Sequence, residues 1–226
     1  AILRRDFPVA IGSTVFVFVI SSAAVLWNGR LLSTDMTENA GIVNKVTGII
    51  LILAFLAYIV WLIADARKHP EEEKDTPPEP LWKCLLFIFA GLILVIIGGK
   101  AVVYGAREIA AALGMSETLI GLTIVAAGTS LPELVTSLTA ARKKETGLAI
   151  GNAIGSNIFN LMFILGVSAV LHPVSVNIAS VYDMIILIAV TVLSMVFAAR
   201  GKSLNRAEGI IMILLYAVDV AFAVIR

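Results

Sequence analysis

The stretch Ala127-Gly-Thr-Ser-Leu-Pro-Glu-Leu-Val-Thr-Ser137 sets a proline, a carboxylate and several hydroxyls inside an apolar run. Pro132 has no N–H, so the carbonyl of Gly128 loses its helical donor and ring sterics open the preceding turn. Glu133 follows at once, with Thr129 four residues back and Ser130 three back. A helix broken here gathers a carboxylate, two hydroxyls and loosened carbonyls. Those are hard oxygen ligands, suited to Ca²⁺ or Na⁺ rather than to softer metals. The same four residues, Ser130 to Glu133, also spell a capping box, with Ser at the N-cap and Glu at N3. A helix restarted by Ser130 would still present Glu133, so both readings are kept.

A second polar stretch follows, Gly147-Leu-Ala-Ile-Gly-Asn-Ala-Ile-Gly-Ser-Asn-Ile-Phe-Asn-Leu-Met162. Asn152, Ser156 and Asn160 recur at i, i+4 and i+8, which puts them along one face of a helix. Gly151 and Gly155 form a Gly-xxx-Gly pair that would admit a neighbouring backbone. The face reads either as a packing seam glued by amides or as further oxygen ligands, Ser156 and Asn160, turned toward Glu133.

These residues need elements that hold them in lipid. Hydrophobic residues make up 59% of the 226 and charged ones 15%, and the mean hydropathy is +0.98. Soluble domains keep about a quarter of their residues charged. Seven apolar stretches stand out: 7–27, 42–64, 82–104, 118–141, 148–171, 184–199 and 209–225. Most reach the roughly 20 residues a helix needs to cross a bilayer; the sixth is short. An ionisable residue within such a span is costly and marks function by default, which gives Glu133 its weight. Cys84 is the only cysteine, so no internal disulfide forms. Lys100 and Glu108 bracket the outer end of the third span, and Asp219 lies on the last one without an evident role.

Lys and Arg cluster at alternate connections: Arg4 and Arg5; Arg67, Lys68, Lys74 and Lys83; Arg142 to Lys144; and Arg200, Lys202 and Arg206. The other connections hold little beyond Arg30, Lys45 and Arg107. The positive-inside bias puts the Ala1 end in the cytoplasm and the Arg226 end outside, with all seven stretches spanning an inner cell membrane. Residues 67–81, with an acidic run and four prolines, read as a solvated cytoplasmic linker.

The chain also repeats itself. Asn44-Lys-Val-Thr-Gly-Ile-Ile-Leu-Ile-Leu53 matches Asn205-Arg-Ala-Glu-Gly-Ile-Ile-Met-Ile-Leu214. Each copy is preceded by an apolar stretch that begins shortly after an aspartate, Asp6 or Asp183. By the charge rule Gly48 starts outside and Gly209 inside, so the copies run in opposite directions, as in secondary transporters. At that offset, a counterpart of residues 118–166 would precede Ala1, in a longer chain or in a partner chain. Phosphate-binding Gly-rich loops, Cys/His clusters, Ser/His/Asp sets and nucleic-acid patches are absent from the sequence, which argues against an enzyme or an ATP-driven pump.

Gly121 through Glu133, followed by Gly151-Asn-Ala-Ile-Gly-Ser-Asn-Ile-Phe-Asn160, resembles an alpha-repeat of the sodium/calcium exchanger family, within the Ca²⁺/cation antiporter superfamily. The resemblance covers residues 82–226, as a second inverted repeat of five helices, and residues 1–66 resemble the last two helices of the first repeat. It implies an all-α membrane fold: seven helices of a ten-helix inverted-repeat exchanger, with a Pro-broken helix. It also implies Na⁺/Ca²⁺ antiport by alternating access, with the two ions as cargo and without a permanent cofactor. On that resemblance Glu133 is a principal Ca²⁺ ligand. Thr129, Ser130 and the Ala126 carbonyl, with Ser156 and Asn160, complete Ca²⁺ and Na⁺ sites. Position 160 is Asn where some second repeats carry Asp, which leaves H⁺ or K⁺ coupling open. One carboxylate cannot neutralise Ca²⁺, so the chain should hold half a site.

Overall fold

The computed structural model describes residues 2–27, 35–68, 80–115, 120–201 and 205–225. Helix α1 (Ile2–Trp27) leads to strand β1 (Asn39–Val43), then to helices α2 (Lys45–Lys68) and α3 (Leu81–Ala112). A π turn over Gly121–Val125 runs into α4 (Ala126–Thr129) and α5 (Leu131–Arg142). Next comes α6 (Thr146–Ile158), a second π turn (Phe159–Ile164) and α7 (Leu165–Leu171). Strand β2 (Val174–Asn177), α8 (Ile178–Gly201) and α9 (Arg206–Ile225) complete the order.

Six helical segments among the described residues are long and apolar enough to cross a membrane, and the bent pair from Thr123 to Arg142 makes a seventh if counted as one span. Most of the expected linker, residues 69–79, lies outside the described residues, as do Ala1 and Arg226. The sixth span is not short. It runs over 23 residues, Ile178–Arg200, because Ser180 and Asp183, which interrupt the apolar run, sit in its opening turns. Its start is capped by Asn177, whose Oδ1 accepts from the Ser180 amide at 2.9 Å and hydroxyl at 2.8 Å. The second span likewise begins at Lys45 rather than Ile42, since residues 39–43 are drawn into a strand. β1 and β2 pair antiparallel, Val43 against Val174 and Asn39 against Asn177.

The chain packs as two compact units, Ala1–Ala64 with Thr146–Arg226, and Asp65–Glu145. In the first, α1 lies against α6 and α8, and α9 against α8. Helix α1 carries buried hydroxyls that bond back onto their own turns, as Ser13 and Thr14 do to the Ala10 carbonyl at 3.0 and 2.8 Å. Helices α2 and α7 cross closely enough that a Cβ on Gly48 would meet the Gly166 carbonyl at 2.7 Å, and one on Gly166 the Gly48 carbonyl at 3.1 Å. Lipid gives apolar helices little hydrophobic reason to associate, so close backbone approach of this kind supplies the contact. Phe55 of α2 meets Phe159 and Phe163 of the second π turn at 5.7 and 5.4 Å between ring centroids. In the second unit, α3 packs along the first π turn, α4 and α5.

Candidate cation site

The first motif bends at Ser130, where the helix axis turns by 53°. Ser130 has φ −95° and ψ 1°, and its N–H donates to the Ala127 carbonyl at 3.1 Å, a tightened i→i−3 turn. Pro132 is the second residue of α5. Its missing N–H costs nothing there, since first-turn donors have no intrahelical partner. The capping-box reading is not realised. Ser130 makes no side-chain cap bond, because ψ near zero turns its hydroxyl away from the β-region geometry caps use. The N–H that Glu133 would take in such a box is already given to Ala127.

Glu133 stands in the first turn of α5, beside the partial positive charge of that helix terminus. It is half-buried, with its Oε2 shielded from solvent. Thr129 and Ser130, both exposed, precede it, and Ala126 opens α4. Thr136 donates to the carbonyls of Pro132 at 2.9 Å and Glu133 at 3.0 Å, steadying the restarted turn. Helix α3 holds the break from one side: a Cβ on Gly128 would overlap Val103 Cγ2, so any larger residue requires that side chain to move. A cleft of ≈ 460 Å³ lies between α3 and the break, lined by Thr129 and Pro132, with Lys100 and Arg107 on the α3 wall.

The second motif is built differently. Asn152 and Ser156 ride on α6, whereas Asn160 lies in the π turn. The expected continuous face over i, i+4 and i+8 therefore ends after Ser156, because the π turn widens the spiral from Phe159 onward. The Leu165 N–H donates to the Asn160 carbonyl, the i→i−5 bond of a π turn. Ser156 donates to the Ala153 carbonyl at 3.0 Å. With the hydroxyl hydrogen committed to backbone, the oxygen keeps acceptor capacity of the kind a cation ligand uses. The Gly-xxx-Gly seam is not occupied at Gly155, where an added Cβ meets nothing within 4 Å.

Ala126, Thr129, Ser130 and Glu133 are thus gathered around one break in one unit, and Ser156 and Asn160 on adjoining turns in the other. Among the described residues no three His, Cys, Asp or Glu cluster, so the oxygen set is one carboxylate with neutral donors. Sequence reasoning missed both π turns, which lack a signature. It also used Asp6 only as a marker of the repeat. Asp6 is buried and accepts from the Tyr58 hydroxyl at 2.9 Å and Arg5 Nε at 2.8 Å. An aspartate ahead of an apolar run was the available signal, but its partner lies 52 residues away.

Comparison with known proteins follows these motifs. The family model described as sodium/calcium exchanger protein matches residues 83–225. CaxA of Alkalimonas amylolytica, a protein named as an antiporter, is 32% identical over 95% of this chain and 66% of its own length. The sodium/calcium exchanger MaX1 of Methanosarcina acetivorans is 40% identical over 58% of the chain and 37% of its own. A solved structure of the sodium-calcium exchanger NCX_Mj superposes with a TM-score of 0.72 at 28% identity, covering 97% of the chain and 66% of that structure. The chain spans two thirds or less of each of these relatives. With the motif pair, the broken helix and a family match over most of its length, the chain belongs to the sodium/calcium exchanger family.

Proposed function

We propose that residues 1–226 form the larger part of a secondary antiporter that exchanges Na⁺ for Ca²⁺ by alternating access. The observation that carries this reading is the break at Ser130, which leaves Glu133 in the first turn of α5 within an otherwise apolar span. Glu133 is the principal Ca²⁺ ligand; Thr129, Ser130 and the Ala126 carbonyl extend its oxygen set, and Ser156 and Asn160 contribute from the second motif. The ions are cargo: one Ca²⁺ or several Na⁺ balance the same negative charge, and the charge balance permits the rocking between faces. One carboxylate leaves Ca²⁺ under-compensated, so the companion repeat supplies another. Residues 82–226 act as the second repeat, residues 1–66 as the last helices of the first, and residues 67–81 as a cytoplasmic linker. The Ala1 end is cytoplasmic in an inner cell membrane, from the Lys and Arg asymmetry.

The test is Ca²⁺ uptake into Na⁺-loaded proteoliposomes by the complete reading frame, beside Glu133→Gln with insertion checked. Uptake that needs the outward Na⁺ gradient and vanishes in the variant supports the reading. Uptake driven by a pH gradient and indifferent to Na⁺ would replace it with proton-coupled exchange. Flux unchanged by Glu133→Gln would leave Pro132 and Glu133 a purely structural role.

A further inference from the structure

Asp6, near the start of α1, is 6% exposed, and the proposed exchange gives it no part. Its Oδ1 accepts from the Tyr58 hydroxyl of α2 at 2.9 Å and from Arg5 Nε at 2.8 Å. Beside this bond the two helices stand apart across a cleft of ≈ 480 Å³, lined by Val9 and Ser13 of α1, Ala54 and Trp61 of α2, and Met162 of the second π turn. Each helix also reaches the segment that carries Asn160. Phe7 and Ala10 of α1 share a buried cluster with Ile154 and Ile158 of α6. Phe55, one turn before Tyr58, meets Phe159 and Phe163, whose own rings stack at 5.2 Å. The Asp6–Tyr58 bond therefore closes a ring of contacts that grips the π turn at Ile158 on one side and at Phe159 and Phe163 on the other.

We propose that Asp6 and Tyr58 are positioning residues for Asn160: their hydrogen bond fixes α2 against α1, and Phe55 then holds the wide turn in the register that presents Asn160 to a cation. π turns are rare, and the ordinary α ladder competes for the same residues, so outside contacts decide whether the wide turn persists. The second copy of the repeat shows that such a helix pair packs without this bond. There Asp183 matches Asp6, with Thr191 placed after it as Thr14 is after Asp6, and Asp219 matches Tyr58. Both threonines donate four residues back, to Ala10 and Leu187 at 2.8 and 2.7 Å. Two ionised carboxyls have no donor to share, and α8 and α9 meet through Tyr182 and Phe222, ring centroids 6.3 Å apart. The Asp–Tyr bond belongs to the copy whose helices touch the π turn. The inference rests on the proposed reading of Asn160 as a ligand.

The experiment is equilibrium Ca²⁺ binding to the purified complete reading frame in detergent, which reads the site whatever ion is exchanged for Ca²⁺. Tyr58→Phe removes one hydroxyl and should weaken Ca²⁺ binding about three- to tenfold. A merely structural bond would lower the melting temperature and leave the affinity alone. Phe55→Leu should weaken binding in the same way. Asp6→Asn keeps an acceptor oxygen for the tyrosine and should bind closer to the parent than Asp6→Ala does. In an Asn160→Ala background Tyr58→Phe should cost nothing further, because the residue it positions is gone. Affinity within about twofold of the parent for Tyr58→Phe would overturn the inference, as would a full added loss in the Asn160→Ala background. Asn160→Ala binding like the parent would bring down the ligand reading and the inference with it. A weakened Asn160→Ala beside an unaffected Tyr58→Phe would leave that reading standing and remove the positioning role alone.

Discussion

Residues 121–142 and residues 146–171 face the same task, carrying polar groups through an apolar span, and solve it differently. The first breaks: the axis turns by 53° at Ser130 and a new helix starts with Glu133 in its first turn. The second stays continuous and widens into a π turn at Asn160. The contrast follows the charge carried. A carboxylate in lipid needs the partial positive end of a helix and nearby oxygens that share a cation with it. Neutral amides and hydroxyls need only local turns, so an intact ladder with one wide turn suffices. Each solution is steadied from outside its own motif, the break by Val103 of α3 against Gly128 and the π turn by Phe55 of α2.

The sharpest way to break this comparison is Glu133→Gln. Removing the charge while keeping the shape should lower Na⁺-driven Ca²⁺ uptake at least about 100-fold, because the proposed site loses the carboxylate charge that would hold the cation. Equal loss from Asn152→Ala would erase the distinction between the two stretches. Asn160→Asp should carry the charge requirement into the second stretch. Its uptake gains a second acid-sensitive carboxylate beside Glu133, so it should fall more steeply than the parent's on acidification, with apparent Ca²⁺ affinity about tenfold tighter than the parent's at alkaline pH. A pH profile superposing on the parent would mean that Asn160 is not a ligand.

Gly128→Ala should destabilise by about 1–3 kcal/mol, since Val103 must move to admit the Cβ; thermal unfolding in detergent measures it. Ser156→Ala removes one neutral oxygen and should cost uptake about tenfold or less, with folding unchanged. A smaller effect lies outside both stretches. The Thr37 hydroxyl and N–H donate to Asp35 Oδ1 at 2.6 and 3.0 Å and hold this exposed carboxyl below its usual range. A depressed folded value means the turn is stabilised above the unfolded pKa and loosens as pH falls through the folded one. The protection of the Thr37 amide, its exchange rate taken relative to that of an unstructured amide at the same pH, should therefore fall on acidification, and Asp35→Asn should remove that response.

The break, the carboxylate beside it and the start of the last span were legible because their causes are local. Pro132 excludes a continuous helix over its preceding turn, and Asn205 caps within three residues of itself. The capping box was legible too and is not formed, since the sequence pattern carries no information about the ψ that Ser130 adopts at the bend. The sixth span was underestimated for a related reason: hydropathy alone discounts Asp183, whereas the Asn177 cap starts the helix ahead of it.

What the sequence determined by itself is the choice of lipid as solvent, the helical spans with one broken among them and the oxygen-bearing residue types set at the break. Each depends on composition or on neighbours within a turn or two. Only the tertiary structure decided which glycines are crossings and which are open, where π turns replace α turns, that β1 pairs with β2, and that Asp6 finds Tyr58. Those outcomes depend on groups far apart in the chain, and in lipid, where apolar surface gains little by mere burial, shape at the contact selects the partner.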